Sequence, residues 1–314
     1  MTGSGSTSGG HPIGIVGSGL VASRVALALA SSGLKARTVP RERLGDLADS
    51  RTVVLAHGAP HVEIAATLLG DGVGVVSASD DLTDVMSLFD LKQQAIDAGV
   101  PLVVGAAASP GLTGLIVEHT SHAFDIVDEV HVAVHGTGGP VCARQHHDAL
   151  GNVSVGWHDG EWLLRPGGSG RELCWFPDPV GARDCYRFAS PEPVVMQKAI
   201  PDLQRITCRV SATRRDRLTA RLPMLSPPHP EGGVGGLRVE VRGQRDNRRH
   251  VEIVGVAEKL ASLAGAVAAH CALAMSHGSI EPGVHVLGQS TMPNSAILDG
   301  VLASGVVLHQ FVGR

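Results

Sequence analysis

Aromatic side chains are nearly missing from this sequence. Tyrosine occurs once, at Tyr186, and tryptophan three times, at Trp157, Trp162 and Trp175. Base stacking needs such rings, so single-stranded nucleic acid finds no platform here. A basic surplus is missing too. The formal net charge is −4, against the positive face that a phosphate backbone requires. The five cysteines are an odd number, and no two have C-x-x-C spacing. That argues against a disulfide framework and against a structural metal site, and fits reduced thiols in a cytoplasmic protein. No uninterrupted apolar run reaches membrane-spanning length. The nearest, LASLAGAVAAHCALAM, contains His270 and follows Glu258 and Lys259, and it reads as a buried helix. The opening MTGSGSTSGG has neither a basic nor an apolar run, so residues 1–11 are expected to be a disordered leader, not a signal peptide.

What is present is a chain of 314 residues, 43% hydrophobic and 18% charged, long enough for two soluble domains with cores built from alanine, valine and glycine. Up to about residue 124, short apolar runs alternate with helical stretches. Strands are expected at 12–16, LKARTVP, RTVVLAHG, GVGVVSAS and VPLVVGAA. Helices are expected at 20–32, 60–69, DLTDVMSLFDLKQQAIDAG and SPGLTGLIVEHTSHAF. That rhythm predicts an α/β fold that opens with a doubly wound parallel sheet over residues 12–124. Beyond it the pattern changes to alternating strands. VSVGWHDGEWLLRP turns at Asp-Gly, and GLRVEVRGQRDNRRHVEIVGVA turns around Asp246-Asn247. Residues 125–314 are therefore expected to form an α+β domain with a mostly antiparallel sheet, for substrate or dimerisation. The loop SPPHPEGG lies within it. Its long helix, 257–276, is expected either to pack back on the first domain or to carry a dimer interface.

Gly17-Ser18-Gly19-Leu20-Val21-Ala22 has the form G-x-G-x-x-A between a strand and a helix. One glycine allows the tight turn, the next lets a pyrophosphate approach the backbone, and the small Ala22 permits close helix–sheet packing. The second strand then runs into ARTVPRER. An NAD site usually places an acid there. Arg41 and Arg43 suit a 2′-phosphate instead, so NADP(H) is favoured over NAD(H).

Three further stretches carry a resemblance: TVVLAHGAPHVEIAATLLGDGVGVVSASDD, AIDAGVPLVVGAAASPGLTGLIVEH and GRELCWFPDPVGARDCYRF. In order along most of the chain, they resemble the saccharopine dehydrogenase-like proteins. The resemblance implies a Rossmann domain followed by an α/β substrate or dimerisation domain, with an NAD(P)-linked oxidoreductase in the best-known members. The stretch RERLGDLADS departs from the pattern, leaving little room for a full βα unit between the second and third strands.

Carboxyl ends of parallel strands hold the ligand in such sheets. That puts Ala56, His57, Gly58, Ser77, Ser109 and Pro110 around the cofactor with the Gly-rich turn. His57 either faces the nicotinamide or is a polar loop residue. His135, Arg144 and His146 fall close together after the next strand. A histidine can donate a proton and an arginine can clamp a carboxylate, but an exposed helix start or a subunit contact would use the same residues. Adjacent His146 and His147 diverge by about 100° on a helix and make a poor chelating pair, so no metal is expected. Trp175, Phe176, Arg183 and Tyr186 read either as a substrate wall or as an interdomain turn.

The expected function is reduction of a C=N or C=O group in a small amino- or keto-acid-like molecule by an NADPH-dependent enzyme, a homodimer without nucleic-acid or membrane partners. The alternatives are a dinucleotide-binding protein without redox turnover and an enzyme that keeps its nucleotide as an internal redox agent.

Overall fold

The computed structural model describes residues 12–224, 228, 230 and 232–311. The leader expected at 1–11 and part of the loop SPPHPEGG lie outside the described residues.

The first strands are four-residue apolar runs: β1 (Ile13–Val16), β3 (Thr52–Leu55) and β4 (Gly74–Ser77) are buried throughout. A strand that is apolar on both faces has to be covered on both faces, which is the parallel, doubly wound solution. Between β1 and β3 come α1 (Leu20–Ser31) and β2 (Ala36–Val39). The short link from β2 to β3 holds only a 3-10 segment, Arg41–Leu47, in place of a full helix. The unit continues through α2 (Val62–Gly70), α3 (Leu82–Phe89), α4 (Lys92–Asp97), β5 (Pro101–Val104) and α5 (Leu112–Ser121). The sequence pattern gave one helix over DLTDVMSLFDLKQQAIDAG. The chain instead tightens at Asp90 and Leu91, whose N–H groups reach back three residues to Ser87 and Leu88. That turn lets Leu88 of α3 and Ala95 of α4 both be fully buried.

The second sheet is built from β6 (Ile126–His135), α6 (Pro140–Gly151), β7 (Val153–His158), β8 (Glu161–Pro166), β9 (Glu172–Phe176), β10 (Gly181–Arg187), α7 (Glu192–Ala199), β11 (Arg205–Ser211), α8 (Arg214–Thr219), β12 (Gly235–Arg245) and β13 (Arg248–Glu258). Both expected hairpin turns form, with Asp159-Gly160 and Asp246-Asn247 at positive φ. All pairings in this sheet are antiparallel except β6 with β11.

The chain then returns to the first sheet. α9 (Leu260–Ser276) packs along α1 at a contact where Gly265 leaves no room for a side chain: a Cβ there would stand 2.4 Å from Arg24 Cβ. After it, β14 (Gly283–His285) pairs in parallel with β5 and completes a six-stranded order β14-β5-β4-β3-β1-β2. The sequence division had placed 283–285 in the second unit. α10 (Asn294–Ala303) and β15 (His309–Gln310), paired with β13, finish the described chain. One face of the parallel sheet shares a continuous core with α1, α5, α9 and the inward face of the second sheet. The other face packs against α2, α3 and α4. No helix among the described residues is long and apolar enough to cross a membrane.

Candidate functional site

The carboxyl ends of β1, β3, β4 and β5 open onto a cleft of about 350 Å³, closed on its far side by the first turns of α6. β1 enters it through Gly17-Ser18-Gly19. Gly17 has φ +142°, and a Cβ there would stand 2.5 Å from the Ala56 carbonyl oxygen. Only glycine fits. At Gly19, the N-cap of α1, a Cβ would meet nothing within 4 Å. The space over this backbone is open, the first turn of α1 carries no acidic residue, and no side chain caps it. An anion laid here meets unsatisfied N–H groups and the positive end of the helix dipole. These features fit a dinucleotide pyrophosphate.

The loop after β3 brings His57 into the same cleft. Its Nδ1 lies 2.7 Å from the Gly58 carbonyl oxygen. A carbonyl only accepts, so Nδ1 carries the hydrogen and Nε2 is a bare acceptor, buried and without a partner among the described residues. Burial, then the nearby His61, pulls the His57 pKa to about 4, so the ring is neutral at neutral pH. His61 donates from Nε2 to the His57 carbonyl oxygen and its Nδ1 accepts from Ser77 Oγ, both at 2.9 Å. Ser77 therefore belongs to the frame of the loop and does not line the cleft.

At the end of β5, Ser109 faces the cleft and donates its hydroxyl to Glu192 Oε2 at 2.5 Å, while Thr113 donates to Oε1 at 2.8 Å. Glu192 opens α7 and is fully buried. Burial pushes its pKa up to about 7, against the pull of the two hydroxyls. Pro110 packs over Gly105 and stays out of the cavity.

The same cleft is lined by a polar cluster. Asp80, from the loop after β4, meets Cys142 and His146 of α6. Asp80 Oδ2 is 3.3 Å from His146 Nε2 and 3.3 Å from Cys142 Sγ, and the sulfur is 3.6 Å from His146 Nε2. Gln145 donates to the other carboxylate oxygen, Oδ1, at 2.9 Å. Burial opposes charge on all three residues. At His146 it is overcome by the Cys142 sulfur and the Asp80 carboxylate, which hold the imidazole well above the usual histidine range. At Asp80 it is overcome by His146, which holds the carboxyl below its ordinary value.

The structure thus gathers Ser18, Gly19, Leu20, Val21, Ala56, His57, Gly58, Ser109 and His146 around one cleft, over the turn that Gly17 makes. His135 faces a neighbouring cavity of about 380 Å³, its Nδ1 2.7 Å from Ser211 Oγ, and His146 and Arg183 line that cavity as well. Arg144 is exposed and lines neither cavity. Arg43 is exposed and paired with Asp46 at 2.6 Å. Arg41 does not line the cleft, but its charge bears on His57 and His61. Cys142, Gln145 and Glu192 are missing from the sequence-based reading, which places Asp80 near the cofactor only as the end of the stretch after the fourth strand. The only local sign was Cys142 four residues before His146, one face of one helix.

No family model and no curated protein sequence matches the chain. Solved structures do. Apo saccharopine dehydrogenase (L-Glu forming) from Saccharomyces cerevisiae superposes with a TM-score of 0.67 at 14% identity, over 97% of this chain and 100% of that one. The C. glutamicum DAP dehydrogenase in complex with DAP gives 0.53 at 13% identity, over 94% and 99%. An engineered D-amino acid dehydrogenase bound to NADP+ gives 0.50 at 12% identity, over 94% and 99%. The chain therefore has a saccharopine dehydrogenase-like Rossmann fold, a parallel dinucleotide-type sheet followed by a mixed, mostly antiparallel one.

Proposed function

We propose that the protein is an NADP(H)-dependent oxidoreductase that reduces a C=N or C=O group of a small amino- or keto-acid-like molecule. One observation carries this reading: a single cleft is lined both by the open helix N-terminus at Gly19 and by the Asp80–Cys142–His146 cluster. A bound nicotinamide dinucleotide would supply the hydride. Ser18, Gly19, Leu20 and Val21 would hold its pyrophosphate. Arg41 would meet the 2′-phosphate, with Arg43 a weaker contributor because Asp46 already engages it. The bare Nε2 of His57 would accept a hydrogen bond from a bound donor. His146, charged beside Asp80, holds a proton at the cleft wall for a developing amine or alkoxide. Arg183 is exposed at the adjoining cavity, hydrogen-bonded among the described residues to the Ala182 carbonyl, and would suit a substrate carboxylate. The solved structures named above act or bind in the same chemical range by their own descriptions. Five unpaired thiols suit a cytoplasmic setting. A homodimer would cover Leu173 and Trp175, both over half exposed on β9.

Titration calorimetry tests the reading. NADP(H) should bind ten- to a hundredfold more tightly than NAD(H), a difference of about 1.4–2.7 kcal/mol. Arg41→Ala should erase most of that preference and leave NAD(H) affinity nearly unchanged. Gly19→Val, whose Cβ meets nothing within 4 Å and whose methyls would occupy the open space over the turn, should abolish binding of both. Equal affinity of the unaltered protein for the two dinucleotides would refute the role of Arg41. Undiminished binding by Gly19→Val would remove the cofactor site from this cleft. Turnover of NADPH with a panel of 2-keto acids plus amines then tests the reaction.

A further inference from the structure

Within the Asp80–Cys142–His146 cluster the imidazole–carboxylate contact is long for a hydrogen bond. A charge-assisted bond from an imidazole to a carboxylate closes to about 2.7–2.9 Å, yet Asp80 and His146 stand 3.3 Å apart. The three candidate ligand atoms all lie within 4.8 Å of one another. A tetrahedral ion with bonds of about 2.0–2.1 Å to nitrogen and oxygen and about 2.3 Å to sulfur spaces its ligand atoms by roughly 3.3–3.6 Å. The observed separations are 3.3, 3.3 and 3.6 Å.

The surroundings agree. Cys142 and His146 sit four residues apart on one face of α6, so a single rigid helix delivers two ligands. Gln145, from the same helix, holds Asp80 by Oδ1 and so turns Oδ2 toward the other two. Metal-ligating carboxylates are oriented by just such an outer partner. The side chains are largely removed from solvent, His146 at 12% exposure and Asp80 at 23%, yet both line the cleft.

We propose that Asp80, Cys142 and His146 form a divalent-cation site of the zinc type on the cleft wall, with its fourth position turned toward the cleft. Thiolate, imidazole and carboxylate together select zinc over magnesium or calcium, which take oxygen sets. One thiolate and one carboxylate neutralise a dication, so the site carries no net charge. Binding is balanced by loss of protons: the Cys142 thiol proton and the Nε2 proton of His146 leave for solvent as the cation takes their place. The cation then stands where the proposed reaction needs a positive group, so in the loaded form it replaces the proton that His146 otherwise holds. This deepens the reading of the cleft as an oxidoreductase site and rests on it for that purpose alone.

The test uses the full chain, stripped with a chelator, and adds Co2+ or Zn2+ without nucleotide or substrate. The expected result is uptake of one ion per chain, a near-ultraviolet thiolate-to-cobalt charge-transfer band, and displacement of that band by Zn2+. Cys142→Ser should remove the band. His146→Gln and Asp80→Asn should each weaken uptake at least tenfold, with thermal unfolding of each variant followed in parallel to identify those that fold. No uptake by the unaltered chain, or a cobalt–thiolate band that survives in folded Cys142→Ser, would overturn the proposal. The nucleotide titration is read without metal and this one without nucleotide, so failure of either is told apart from failure of the other.

Discussion

Glu192 shows how one residue ties the cleft to stability. Among the described residues its carboxyl meets the hydroxyls of Ser109 and Thr113 and no cation. With a folded pKa near 7 against an ordinary value of 4.5, the native state keeps a proton that the unfolded chain gives up. The contribution is complete below about pH 4.5 and is lost as pH rises through about 7, a fall of about 3 kcal/mol. Glu192→Gln, neutral at every pH, should flatten the dependence of denaturant-measured stability between pH 5 and 8. An unchanged slope in the variant would show that some other group is responsible. Residues of this kind were the least legible in the sequence. Gly17 announces itself because a local turn demands it, and Gly19 because the G-x-G pattern leaves its backbone open to a ligand. Glu192 meets Ser109 and Thr113, and Asp80 meets Cys142, only through the tertiary fold, and no spacing within either segment points to the other. Arg144 shows the converse: close to His146 along the chain, it projects from the exposed face of α6 and away from the site.

At the scale of elements, period and punctuation carried most of the information. The buried strands β1, β3 and β4 could be read because they are apolar throughout. Both hairpin turns could be read because Asp-Gly and Asp-Asn tolerate positive φ. The break between α3 and α4 could not, because no glycine or proline marks it and burial of Ala95 decides it. α9 was legible as a buried helix but not in its partner. That partner is α1, and Gly265 sets the spacing. Gly265→Leu should lower stability by about 1–3 kcal/mol, read as an earlier denaturant midpoint, since overpacking here meets backbone and Cβ atoms of Arg24 and Val25. Retention of the original midpoint would mean the two helices can separate freely.

The whole molecule is held by its connectivity. The alternation of strands and helices foretold the parallel sheet, and the later alternating strands foretold the second one. That the last stretch would supply a further strand to the first sheet had no marker, since Gly283–His285 is three residues long. This return has a consequence for how the protein is made. As the chain leaves the ribosome, residues 12–124 emerge with the outer edge of β5 unpaired and the α1 face uncovered, and both wait for residues 260–285, which are made only after the strands of the second sheet from β6 to β13. The early segment is therefore held incomplete until those residues emerge, with an apolar strand edge open to wrong pairings. Expressed alone, residues 12–124 should show no cooperative unfolding transition by circular dichroism, whereas the full chain should. A sharp transition in the short fragment would mean that the early sheet closes without its late strand.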